Sequence, residues 1–201
     1  MHLMEGIEFT HENSFAVLEP YTGPTDWTIH PFAQRNKLIG KGQAIHFFQH
    51  DYTFNCMWKS LELLTQKLCK FDAVFTPDWS LYVDVPEHLN KNATYKTRFV
   101  GAYMQKCGFN VISTFSWSNA ASFRWCLEGL PVGGVMATCG TGIKHTSAAF
   151  KLWCYGMRKV EEEKSPSLIY VYGDPVDIPG LQTELRFIPN RISKLRKYDE
   201  E

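Results

Sequence analysis

The sequence predicts an α/β fold: a mostly parallel sheet of five or six strands with helices alternating in sequence, as a reduced barrel or an open layered sheet. Three observations predict it. Short β-rich runs alternate along the chain with segments of helical spacing, the rhythm of βαβ units. The runs are apolar at successive positions, as strands are when helices cover the faces of their sheet. The chain has 201 residues, fewer than the ~250 that a complete eight-stranded barrel usually takes.

Residues 1–42 are turn-rich, with Glu19-Pro20, Gly23-Pro24, His30-Pro31 and Gly40-Lys41-Gly42. They read as an ordered lead-in anchored by Phe9, Phe15, Trp27 and Phe32. The α/β domain is expected over residues 43–190. Residues 44–48 form its first strand. Met57, Trp58, Leu61, Leu64 and Leu68 then recur at helical spacing and place a helix over 54–69. Residues 73–75 form a second strand, stopped by Pro77, and residues 93–107 a helix closed by Gly108. A third strand over 111–115, a short helix over 122–127 and a fourth strand over 134–137 follow. A long helix over 145–163 ends before Pro166, a fifth strand covers 168–171, and 183–188 is a candidate sixth. Residues 191–201 form a charged tail, read as a solvated terminus.

Composition excludes several classes. Aromatic residues reach 14%, too many for a disordered chain. No apolar stretch approaches the ~20 residues that span a bilayer, so no membrane role is expected. Lys plus Arg (21) balance Asp plus Glu (21), which gives no general attraction for phosphate. The six cysteines form no Cys-x-x-Cys pair, and the amino terminus lacks a basic segment leading into an apolar one. An intracellular, cytoplasmic protein with reduced thiols is the expectation.

In parallel α/β sheets the loops leaving the carboxyl ends of the strands converge, and ligands bind there. Each expected strand delivers polar, aromatic or glycine residues at that end. Asp51 and Asp78 follow the first and second strands and are the candidate catalytic residues. Adjacent strand ends would hold them roughly 5–10 Å apart, which suits an acid/base pair or a bridging divalent metal. Asp is also a common helix and turn cap, the bland alternative for both. Tyr52, Trp79, Ser80 and Tyr82 flank the pair as candidate ligand-binding residues, with Tyr95 and Arg98 one helical turn apart on the next helix. The third strand delivers Ser116, Trp117, Ser118 and Asn119. Trp79 and Trp117 are candidates to stack a base or a sugar. The fourth strand delivers Thr138 and the Gly140-Thr141-Gly142 turn, with Lys144 beyond it, and the fifth delivers Tyr172. Glycines before a helix let backbone N–H groups approach an anion. His46 and His50 share a strand face, a spacing that could ligate a metal, but read as ordinary packing or solvated residues.

The segments His50-Asp51-Tyr52-Thr53-Phe54, Phe75-Thr76-Pro77-Asp78-Trp79-Ser80-Leu81-Tyr82, Tyr95 with Arg98 and Gly101, Ser116-Trp117-Ser118 and Tyr172-Gly173 resemble a domain-of-unknown-function family. That family occurs in bacteria, mainly Gram-positive ones, and in their phages and mobile elements. The resemblance runs from about Gln43 to Gly173. It implies a phage or mobile-element origin and no particular activity, and it strengthens Asp51, Asp78, Ser80, Tyr82, Arg98, Ser116 and Trp117 as site candidates. The family tends to carry Tyr-Arg-x-Arg where this chain has Tyr95-Lys96-Thr97-Arg98, so one bidentate cation is replaced by a point charge.

The resulting expectation is a crevice for a phosphate-bearing ligand, a nucleotide or nucleic acid, with metal- or carboxylate-assisted hydrolysis. The alternatives are a non-catalytic module that sequesters a nucleotide signal or blocks a host protein, and a carbohydrate-processing enzyme.

Overall fold

A computed structural model of the chain describes residues 2–143 and 146–190. Seven parallel strands form one sheet in the order β1-β2-β3-β4-β5-β6-β7. They are β1 (Thr28–Pro31), β2 (Gln43–His46), β3 (Ala73–Phe75), β4 (Val111–Thr114), β5 (Val135–Cys139), β6 (Leu168–Tyr172) and β7 (Glu184–Ile188). The helices are α1 (Asp51–Phe54), α2 (Cys56–Lys59), α3 (Leu61–Leu68), α4 (Glu87–Lys106) and α5 (Ser147–Lys164), with short 3₁₀ turns including Ala120–Arg124.

Strand order equal to chain order has a direct consequence. Parallel crossovers are right-handed, so each connection falls on the same face of the sheet. The helices pack on that face alone. Ile45, Val74 and Val111 meet α1 to α4, and Met136, Ile169 and Val171 meet α5. The opposite face, with Ala44, Ala73, Phe75, Ile112, Val135, Ala137, Leu168 and Tyr170, has no helix and must bury itself. It does so by curling into a half-barrel. The rings of His46 on β2 and Tyr172 on β6 lie 5.1 Å apart, and those of Phe75 on β3 and Tyr170 on β6 lie 5.8 Å apart. On a flat sheet β2 and β6 would be roughly 19 Å apart, four spacings of ~4.8 Å.

The turn-rich lead-in contributes β1, so the sheet has seven strands, not five or six. Its later part seals the amino pole of the half-barrel. The Val135 N–H donates to the Tyr21 carbonyl (2.8 Å), and the Trp27 ring sits between Tyr21 and Tyr170. Tyr170 Oη donates to the Thr25 carbonyl (3.1 Å) and Arg186 to Thr25 Oγ1 (2.8 Å). The loops that follow the strands gather at the opposite, carboxyl pole, termed the mouth below.

The helix expected over 54–69 is three short helices, broken at Asn55 and at Ser60, where the backbone turns to φ −139°, ψ 52°. Asp51 is the first residue of α1 and not a loop residue. The charged tail and Lys144 lie outside the described residues.

Candidate functional site at the carboxyl pole

Asp51 opens α1, yet its carboxylate does not cap that helix. It accepts from Ser80 Oγ (2.9 Å) and from the Ser80 N–H (3.3 Å), which ties the loop after β2 to the loop after β3. Asp78 lies between these loops at the end of β3, half-buried. Burial and the neighbouring Asp51 charge push its carboxyl up to about 7, against the opposing pull of Arg98. Asp51 is thus near enough for its charge to act on the Asp78 carboxyl.

The rest of the mouth is reached by register. Cys139 of β5 pairs with Tyr172 of β6, and Tyr172 stacks on Phe48 (5.4 Å) and against His46. Asp78 faces Cys139 closely enough that burial, reinforced by that charge, pushes the thiol up. His46 is buried, and its Nδ1 accepts from the Phe48 N–H (3.1 Å), an arrangement that leaves the ring proton on Nε2. Asp78, Cys139, Tyr172 and His46 thus mark the mouth from β3, β5, β6 and β2. His46 is a packed residue, as expected, with its ring on Phe48 and Tyr172. The signal was the alternation Ala44, His46, Phe48, which puts the imidazole on the interior face at the strand's last residue.

Other candidates sit elsewhere. Trp79 is buried in the helix layer, where Nε1 donates to Asn55 Oδ1 (2.8 Å). Trp117 packs in the α5 layer against Phe115 and Phe123, and its indole fills the space beside Gly156. Neither indole offers a stacking face at the mouth. Tyr95 stacks on Phe99 (5.9 Å), and Lys96 lies over Trp58 and Trp79 (5.7 and 6.0 Å). Arg98 is fully buried, and its guanidinium donates to the carbonyls of Thr114, Cys126 and Glu128 (2.9, 2.8 and 3.0 Å). Burial lowers it to about 10, with the nearby Cys126 and Asp78 acting in the opposite sense.

Thr138 Oγ1 donates to the Phe115 carbonyl, and the Gly140 N–H donates to the Tyr172 carbonyl, so this glycine's donor is already committed. Thr141 and Gly142 are exposed, and Ser116 is half-buried. Asn119 caps the Ala120–Arg124 turn in a reciprocal box with Ser122, and the Ser118 N–H is held by the same serine. Tyr52 and Tyr82 are exposed at the rim, Tyr52 stacked on His50 (5.5 Å, 11°). Asn90 grips the main chain of Tyr82 by donating to its carbonyl (2.8 Å) and accepting from its N–H (2.9 Å). Sequence reading overlooked that clasp, which looks like an ordinary helical Asn. Two surface hollows, one beside Glu161, Pro166 and Thr183 and one beside Phe123, Trp125 and Lys164, do not include the mouth. No group of three or more metal-ligating side chains occurs among the described residues.

A family model for a domain of unknown function, DUF4417, matches residues 22–188. The chain belongs to the DUF4417 family. The match takes in β1 and β7, so the DUF4417 domain begins and ends beyond the Gln43-to-Gly173 stretch on which the resemblance rests. The chain is 32% identical over 203 residues to the Gene 1 protein of Mycobacterium phage L5, covering 96% of this chain and 87% of that protein. It is also 32% identical over 161 residues to the Gene 1 protein of Mycobacterium phage D29, covering 78% of this chain and 58% of that protein. No solved structure matches. The kinship with phage proteins agrees with the family resemblance, and the printed names describe no activity. No helix among the described residues is long and apolar enough to cross a membrane, and the six cysteines are free thiols.

Proposed function

We propose that the DUF4417 domain binds a phosphate-bearing ligand, a nucleotide or the end of a nucleic acid, at the carboxyl-pole mouth, and hydrolyses it with Asp78 as general acid/base. The supporting observation is the carboxyl of Asp78, pushed up to about 7 beside a second carboxylate. A proton-transfer group works best when its affinity for the proton matches the operating pH. Asp51, oriented by Ser80, is the second carboxylate, placed to orient an attacking water. The ligand's negative charge has few cations to meet, because Arg98 and Lys96 are committed elsewhere. The amino end of the 18-residue α5 supplies the favourable field at this pole. A sugar substrate has less support, since both candidate stacking indoles lie in the helix layers.

A protein-blocking module is the second reading. Tyr52, Tyr82, Val83 and Leu89 are large exposed side chains on α1, on the loop after β3 and at the start of α4. The test is a panel of nucleotides and short oligonucleotides, followed by thermal shift and by product release, with wild type and Asp78→Asn. Binding with turnover that Asp78→Asn abolishes supports the hydrolase. Binding without turnover in either protein supports sequestration. No shift with any member sinks the ligand reading and leaves the protein-blocking one.

A further inference from the structure

We propose that Arg98 is a positioning residue for Asp78: it braces the ends of β3 and β4 and presents a fixed buried positive charge to the Asp78 carboxyl, and it is not a clamp for ligand phosphate. The inference rests on the assignment of Asp78 as the proton-transfer group.

The geometry starts from the guanidinium. A fully buried Arg ordinarily finds a carboxylate, yet no ion pair to Arg98 occurs among the described residues. Its donors go to three main-chain carbonyls, and one of these, Thr114, ends β4. Thr114 is in turn locked to the residue that follows β3. Its N–H donates to Thr76 Oγ1 (2.8 Å), and the two hydroxyls are 2.6 Å apart. Thr76 and the buried Pro77 lead directly into Asp78. A single chain of hydrogen bonds thus runs from the Arg98 guanidinium to the segment that aims Asp78. Three charged or titratable groups face that carboxyl: Asp51 from α1, Arg98 from α4 and Cys139 from β5. Asp51 disfavours the anion and Arg98 favours it, while the Cys139 thiol is itself pushed up by burial and by Asp78. Because the guanidinium is fully buried, with each of its three nitrogens donating to a carbonyl, a ligand cannot reach it, but its charge acts across the low-dielectric interior.

The test needs no ligand, so its failure is separable from failure of the hydrolase reading. In ¹⁵N-labelled protein, the Arg98 Nε–H resonance is followed from pH 5 to 9. In wild type it should shift with a midpoint near that of Asp78, and in Asp78→Asn it should stay flat. In parallel, the Asp78 carboxyl carbon is titrated in two variants. Arg98→Met removes the charge and should raise the Asp78 midpoint by about one pH unit, tenfold in proton affinity. Arg98→Lys keeps a charge and should give a smaller rise. A flat Arg98 signal in wild type overturns the proposal. So do equal rises in the Met and Lys variants, since a role in packing alone would move both alike. Should Arg98→Met fail to fold, the comparison of wild type with Asp78→Asn still decides.

Discussion

Asp78→Asn should make the protein more stable at pH 8 while removing its proposed chemistry. The folded state raises this carboxyl from its ordinary 3.8 to about 7, chiefly by burial and then by the Asp51 charge. A raised value means that folding favours the protonated acid. The stability it allows is complete below about pH 4 and is lost as pH rises through 7. One tenfold change in proton affinity is worth ~1.36 kcal/mol, so a little over three such factors set a ceiling of about 4 kcal/mol at pH 8. The side chain is only half-buried, and water at the mouth screens part of this cost. About 2 kcal/mol is therefore the expected loss. Asn has the same shape and no charge to bury, so it should recover that amount at pH 8 and almost none at pH 4. Urea unfolding of both proteins at pH 4, 6 and 8 measures the difference, and comparing the two proteins cancels the titrating groups that do not interact with Asp78. A gap of the same size at all three pH values, or an Asn variant less stable at pH 8, would refute the claim that Asp78 is held as a destabilised anion.

Three further predictions concern the frame around it. Gly101→Ala would ordinarily strengthen a helix by about 1 kcal/mol. Here the added methyl would lie 2.5 Å from Thr76 Cγ2 and 2.9 Å from Leu18 Cδ2. Thr76 cannot turn away without releasing Thr114, so overpacking by ~1–3 kcal/mol should win and denaturant melts should show a net loss. Trp27→Ala removes the ring that plugs the amino pole between Tyr21 and Tyr170. For a half-buried indole a loss of about 2 kcal/mol is expected, and an unchanged melting temperature would mean that the lead-in does not seal that end. Ser80→Ala deletes the 2.9 Å bond to Asp51. With ~1.5–3 kcal/mol at stake in a bond to a charged group, turnover of any substrate found should fall roughly tenfold or more while the fold survives.

The alternation of strands and helices was legible because burial of both sheet faces writes itself into composition, as in the strands at Val111–Thr114 and Leu168–Tyr172. β1 was not legible. Four residues ending in Pro31 carry no alternation, and proline is tolerated there only because the strand is an edge. Nor could the breaks at Asn55 and Ser60 be seen, because the apolar spacing across them stays helical while the backbone does not.

The same distinction explains the site. That Asp51 and Ser80 would approach one another was legible because strand-end position is a one-dimensional property and β2 and β3 are neighbours. The tryptophans failed the same test. Strand-end position fixes where a residue leaves the sheet but not which side it faces. Trp79 follows Asp78 by one residue and turns outward into the helix layer that the carboxylate avoids. Arg98 shows the limit from the other direction. A cation one turn from Tyr95 looks like a ligand contact until three carbonyls from two distant segments are seen to consume it. Those carbonyls lie 16 to 30 residues away in the chain, a relation that no local pattern encodes. At the carboxyl pole of this chain, Asp78 is set by burial and by two side-chain charges, Asp51 and Arg98. Substitution of Arg98, which leaves every acidic residue in place, should raise the proton affinity of Asp78, whereas removal of the Asp51 charge should lower it.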